Sequence, residues 1–349
     1  MLKKVFLVLS FIFLLTGCGK KEDVVTFSTW GSITEIQVLK TVIKKFEQEN
    51  PDIKINLMHI PQNYFQKLHL LFASNTAPDV IFINNLYLPI YARYLEDLNS
   101  YVDKKSFYTN AISSLTYDDK LLAVPRDISS LVFYVNLDKT DLPKSDWKIE
   151  DLISKSYSIS FEDDIYWATP YLSYFADVDL TDGLSTEELN ALNFYKSLRD
   201  DLKLAPTKSQ IGSSTLAQMF LDEKIVFYLS GRWMYPKITE KAKFNWSVIN
   251  FPYGKYPQLI DSSGWAINKT SKNKEKSIRF VQYLSIYDVS EQFRDTGLII
   301  PARIDTSQKL NNENHNERVF LETIFHSKPT PTDKNYKKTI DKLNLQYLK

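Results

Sequence analysis

The sequence predicts an α/β protein built on a largely parallel sheet with helices on both faces. Three observations carry this. Apolar stripes of helical period alternate with short strand-like runs through the first hundred residues. One of those runs, in "PDVIFIN", is continuously apolar, as expected of a parallel strand covered on both faces. Finally, the chain has 349 residues, 44% of them hydrophobic and 24% charged, which suits two ordinary domains of a globular protein.

The elements follow in order. Lys3 and Lys4 precede an apolar run, Val5 to Leu15, about half the length a membrane-spanning helix needs. With Thr16-Gly17 ahead of Cys18, residues 1–17 resemble a bacterial lipoprotein signal, which lies outside the fold. That resemblance implies cleavage before Cys18 and lipid on its sulfur and new amino end, with residues 18–23 as a polar tether. Cys18 is the only cysteine, so the exported part has no disulfide and no thiolate metal site.

"VVTFSTW" then reads as a strand, and "TEIQVLKTVIKKFEQEN" as a helix with Ile36, Leu39, Val42, Ile43 and Phe46 on one stripe. Asn50-Pro51 stops it. Strand "IKINLMHI", helix "NYFQKLHLLFASN", strand "PDVIFIN" and helix "LPIYARYLEDLNSYV" continue the β-α-β rhythm of a parallel sheet. "LLAVPRDISSLVFYVNLD" reads as two strands separated by a rigid charged turn at Pro125, Arg126 and Asp127. "STEELNALNFYKSLRDD" opens on Ser185 with Glu188 three residues on, a capping box. Helix "STLAQMFLDEK", strands "IVFYLS", "FNWSVINFP" and "GWAIN", and helix "KNKEKSIRFVQYLSIY" follow. Two short helices near Glu317 and Lys338 close the chain, with "SKPTPTD" as a loop between them.

Six segments line up in order with one family: "KKFEQENPDIKINL", "APDVIFIN", "LLAVPRDISSLVFYVNLD", "SGRWMYP", "GWAINKTSKNKEKSIRFVQYL" and "GLIIPAR". Together they resemble the extracellular solute-binding proteins of ABC importers, in the group that binds maltose and other sugars. The chain departs from that pattern in having only nine glycines, and in Gly231-Arg232-Trp233 where relatives often carry Gly-Pro-Trp. The resemblance implies a two-lobed periplasmic-binding-protein-like fold with hinge strands and an interlobe cleft. Residues 24–125 plus 262–304 would form the N-terminal lobe, and residues 126–261 plus 305–349 the C-terminal lobe. Ligands of open α/β sheets sit at the carboxyl ends of strands and in interdomain crevices, so Arg126 and Asp127 would face the cleft from the crossover.

The implied function is capture of a carbohydrate for delivery to an ABC permease. It would be performed by a monomer held by its lipid on the extracytoplasmic face of the cell membrane, without a cofactor. A sugar presents apolar C–H faces and a hydroxyl rim, which aromatic rings and paired polar groups match. On position and resemblance the ligand-binding candidates are Trp30, Asn84, Asn85, Arg126, Asp127, Trp233, Trp265 and Arg303. Trp167, Tyr171 and Tyr174 form an aromatic stretch that could add stacking. A non-sugar solute on the same fold is the alternative.

Other classes find less support. Basic and acidic residues balance at 43 and 42, without the basic excess of a nucleic-acid binder. The four histidines form no His-Glu-x-x-His helix, and there is no Gly-x-Ser-x-Gly turn. A glycan-cleaving enzyme needs two carboxylates at a set separation. The sequence pairs Asp118-Asp119, Asp163-Asp164 and Glu187-Glu188 read instead as solvated turns and helix starts. A surface scaffold would keep the fold and lose the cleft chemistry.

Overall fold

A computed structural model of the protein describes residues 23–144, 146–155, 158–312 and 314–348. The expected export signal, Cys18 and most of the tether lie outside these residues. Strands β1 (Asp23–Thr29), β2 (Ile53–His59) and β3 (Val80–Asn84) run parallel, with helices Ile33–Glu49 and Tyr64–Ala73 as crossovers. The first helix starts where Ser32 accepts from the Glu35 amide and the Glu35 side chain accepts from the Ser32 amide. The helix expected from Leu88 is cut short. It covers Leu88–Tyr91 and one 3-10 turn, Ala92–Tyr94. Leu95 then bridges to Asn268, and the Glu96 amide donates to the Ile267 carbonyl. Sheet pairing has overridden a helical stripe.

Beyond β3 the next three strands of the large sheet pair antiparallel and one short side strand pairs parallel, so the two kinds of pairing are equal in number and the expectation of a mostly parallel sheet is corrected. A small hairpin, β4 (Thr116–Tyr117) and β5 (Lys120–Leu121), turns through Asp118 and Asp119 at positive φ. Then come β6 (Val124–Ser129), β7 (Val132–Asn136), β8 (Phe227–Ser230), β9 (Trp246–Asn250), β10 (Gln258–Ile267), β11 (Ile300–Pro301) and β12 (Ser327–Pro329). The large sheet has the order β11-β6-β10-β3-β1-β2, with β12 beside β10. A second sheet, β8-β7-β9, is antiparallel. β10 is twice the length expected from "GWAIN", because the polar residues Asp261 to Ser263 also pair with β6. The "SKPTPTD" loop likewise contributes β12.

Pro125, Arg126 and Asp127 do not form a turn. They lie inside β6, between β10 and β11. Gly264 of β10 faces Pro125 and Ser263 faces Asp127, so Arg126 is the extra residue of a β-bulge. Proline has no N–H to give a ladder, and a bulge is where a sheet tolerates one. Gly264 is required there: a Cβ on it would stand 2.1 Å from the Val124 carbonyl oxygen.

The chain passes between the sheets at Ser130-Leu131, again between β9 and β10, and from β11 to helix His315–Phe325, whose Asn316 accepts from the Val248 amide of β9. β12 then returns to the large sheet, and helix Tyr336–Leu343 packs back on the second lobe, so the lobes are linked at several crossings. One buried cluster runs from Phe27, Leu39, Phe46, Phe82 and Trp265 across to Tyr134, Phe220, Val248 and Phe320 on one face of the small sheet; the other, with Phe133, Ile165, Tyr171, Leu172, Tyr195 and Phe251, covers its opposite face.

Candidate functional site

Where β6 leaves the large sheet, a cavity of about 390 Å³ opens between the lobes. Trp30, at the end of β1, forms one side of it and Trp233, after β8, lies in its lining with Arg126, Asp127 and Ser129 of β6. Trp30 is held edge-on to Tyr64 and Phe65 at centroid distances of 5.6 and 5.0 Å. Trp233 lies flat against Gly231, so close that a Cβ there would meet the indole at 2.0 Å. The Tyr134 hydroxyl donates to the Gly231 carbonyl at 2.9 Å and fixes this turn from below.

The bulge points Arg126 into a buried charge network. Its Nε donates to Asp127 Oδ2 at 2.5 Å, Nη1 stands 3.2 Å from Glu35 Oε1, and the guanidinium lies 4.6 Å from the Phe82 ring centroid. Burial opposes the charge on Arg126, but the two carboxylates outweigh it and hold its pKa above the ordinary value. Asp127 Oδ1 accepts from Ser263 Oγ at 2.6 Å. Nearby, Arg232 is 4% exposed and clasps Glu317 with two bonds of 2.9 Å. Its Nη1 also donates to the carbonyl of Ile299, just ahead of β11, so this residue of the small-sheet lobe grips the large-sheet lobe.

A second cavity, of about 150 Å³, shares Ser129 with the first and is lined among others by Leu86, Asp164, Tyr166, Asp261 and Tyr336. Asp164 caps helix Ile165–Phe175 by accepting from the Tyr166 amide at 2.9 Å. Asp261 accepts from Asn85 Nδ2 at 2.8 Å, and burial pushes its carboxyl above the ordinary carboxylate range. Indole plates from two sides and a polar strand end between them suit a small polar solute with apolar faces.

Residues 41–311 match the family described as bacterial extracellular solute-binding protein. The chain belongs to that family. Among curated relatives it is 24% identical to the maltodextrin-binding protein MdxE of Bacillus subtilis, over 95% of this chain and 88% of that one. The ABC substrate-binding protein Lmo0181 of Listeria monocytogenes, solved with cycloalternan, superposes with a TM-score of 0.81 at 22% identity, covering 93% of this chain and 92% of that one. The GacH receptor of Streptomyces glaucescens, solved unliganded and with acarbose, gives the same TM-score at 21% identity and the same coverage. The structural likeness establishes the two-lobed fold.

In this solute-binding protein the expected site residues divide. Trp30, Arg126, Asp127 and Trp233 come together in the larger cavity. Trp167 meets Trp233 edge to face, with centroids 6.3 Å apart, and stands behind it. Asn85 is 1% exposed and serves as the amide that holds Asp261, while Asn84 Oδ1 accepts from the Tyr87 amide to close the turn after β3. Four candidates lie away from the cavities. Trp265 has no exposed surface, because its indole fills the core between Phe27 and Phe82. Tyr171 is equally enclosed, by Tyr195 and Phe251. Tyr174 bonds to Glu150 and packs its backbone under Gly254, outside both cavities. Arg303 turns to Asp305 and the Ser285 carbonyl.

Sequence reasoning missed Glu35, Arg232, Asp164, Tyr166, Asp261 and Tyr336. Ser32 and Glu35 stand three apart at a helix start, the spacing that exposed the box at Ser185. Arg232 was visible as a departure from Gly-Pro-Trp. Asp261 follows the apolar Leu259-Ile260 of β10, an acid ahead of the strand's buried run. Asp164 was read only as a solvated helix start; it is that and also faces a cavity.

Proposed function

We propose that the protein is the capturing component of an ABC importer, that it holds a carbohydrate between its lobes, and that it delivers this unaltered to a membrane permease. The observation that carries the reading is the cavity bounded by Trp30 of one lobe and Trp233 of the other, with Ser129 and Asp127 of the crossing strand at its base. Each indole can cover a sugar face, and the serines and carboxylates can bond its hydroxyls. The expected lobe boundaries at 125/126 and 261/262 fall inside β6 and β10, so the lobes divide instead at Ser130-Leu131 and ahead of Gln258; a ligand that bridges them shifts the population toward the closed form. Family membership supports capture on the extracytoplasmic side. Lipid at Cys18 would keep the protein, as a monomer, beside its permease. No bond is made or broken in the solute.

The test is a thermal unfolding scan against maltodextrins, other sugars, peptides and phosphate esters. A ligand at about 100 times its dissociation constant stabilises by about 2.7 kcal/mol, which is several degrees in a chain of this size. A shift with a sugar that is recovered intact is expected. A shift only with a non-sugar, or conversion of the sugar, overturns the reading.

A further inference from the structure

The smaller cavity is acidic, and its charge is not balanced. Asp164, Asp261 and Asp341 line it against one base, Lys337. That ammonium is committed to Asp341 at 2.5 Å. Asp164 and Asp261 have no ion-pair partner among the described residues; each accepts from neutral donors, the Tyr166 amide and the Asn85 side chain. Asp164 and Asp261 are half-buried, and a cation that joins them in the cavity offsets the partial desolvation of their charge. Burial raises the Asp261 carboxyl in keeping with that.

Tyr336 supplies a second, independent sign of a guest. Tyr336 is 3% exposed and lines the cavity, yet its hydroxyl makes no hydrogen bond among the described residues. Tyr166 stands between Asp164 and Asp261, and its hydroxyl is raised by burial and then by those carboxylates. The Tyr336 hydroxyl is free to donate or accept toward a guest in the cavity. Tyrosine faces also attract ammonium groups. Ser129, Thr169 and Thr330 complete the wall with groups that match sugar hydroxyls.

We propose that this cavity receives the ammonium group of an amino sugar with a free amine, and that the protein prefers such a cationic sugar to the neutral sugar of the same shape. The larger cavity, across Ser129, holds the remainder of the ligand between its indoles. The proposal rests on the solute-capture reading and narrows it.

Calorimetric titration of the protein with glucosamine, glucose, N-acetylglucosamine and putrescine at neutral pH tests it. Glucosamine is expected to bind tighter than glucose or N-acetylglucosamine by about tenfold or more, equivalent to about 1.4 kcal/mol. Asp261→Asn should remove most of that preference and leave glucose affinity within about threefold; its unfolding curve checks that the variant is folded, and Asp164→Asn repeats the test from the other wall. Glucose binding as tightly as glucosamine overturns the proposal and leaves sugar capture standing, as does a preference that survives both variants. Putrescine binding tighter than glucosamine overturns the sugar half. Failure of glucosamine, glucose and every maltodextrin to bind overturns the capture reading as well.

Discussion

At the scale of single residues, the site is organised around charges that the fold has already partnered, and two that it has not. Arg126 stands between Asp127 and Glu35 with its side chain 7% exposed. Removing one member of a buried ion network strands the others at a cost of about 3–5 kcal/mol. Arg126→Met is therefore expected to lower the unfolding free energy by about that amount in urea titration. Asp261 behaves in the opposite sense. Its pKa is raised in the folded chain, so folded protein holds that proton more tightly than unfolded protein. Below the ordinary value of 3.8 both states hold it and there is no difference; as pH rises past that value and through the raised one, the folded state loses stability. The titratable neighbours facing Asp261 are Asp164 and Tyr166 from one helix and Tyr336, Lys337 and Asp341 from another. Asp261→Asn should accordingly unfold at a higher temperature than the parent at neutral pH, and the advantage should vanish below about pH 3.8. Trp233→Ala should abolish ligand-induced thermal stabilisation while the empty protein unfolds as before, give or take about 1–2 kcal/mol. A normal ligand shift in that variant removes the indole from the site. Trp30 is a candidate because it follows a strand and Trp233 because its Gly-x-Trp turn resembles the family's, and both line the larger cavity. Trp265 and Tyr171 were misplaced because residue type alone does not tell a stacking ring from a core ring in a chain with 21 tyrosines, 21 phenylalanines and six tryptophans.

At the scale of elements, local chemistry wrote most of the fold. Helices Ile33–Glu49 and Thr186–Asp200 begin at capping boxes and bury single stripes; Ser185→Ala should cost about 1 kcal/mol in chemical unfolding. Where the sequence misled, partners distant along the chain decided the matter. The helix after Leu88 ends because Leu95 and Glu96 pair with Asn268 and Ile267. "PRD" reads as a turn in isolation and becomes a strand because β10 and β11 flank it. The adaptation to proline lies in Gly264, 139 positions further on, whose meaning no local pattern reveals. Gly264→Ala should destabilise by about 3 kcal/mol or more, because the new methyl would overlap the Val124 carbonyl. An unchanged denaturation midpoint in that variant would contradict the strand register described above.

For the whole molecule, the two-lobed architecture was legible from ordered motifs, whereas the second cavity was not. Its walls come from Leu86, Asp164, Asp261 and Tyr336, residues up to 250 positions apart that share no motif. The same separation marks the contact that holds the lobes together: Arg232 reaches Glu317 and the Ile299 carbonyl. Arg232→Lys keeps the charge and loses the forked geometry. It is expected to enlarge the radius of gyration of the empty protein in solution scattering and to weaken ligand binding by about tenfold, or about 1.4 kcal/mol; an unaltered radius would show that the contact does not govern closure.

Arg232 and Trp233 are successive residues of one short turn. A guest leaning on the indole thus pushes the same few backbone atoms that seat the neighbouring guanidinium. Grip and latch form a single lever, so reshaping the plate for a bulkier guest will also retune how readily the jaws shut, and any redesign of selectivity at position 233 will have to be balanced at 232 and 317.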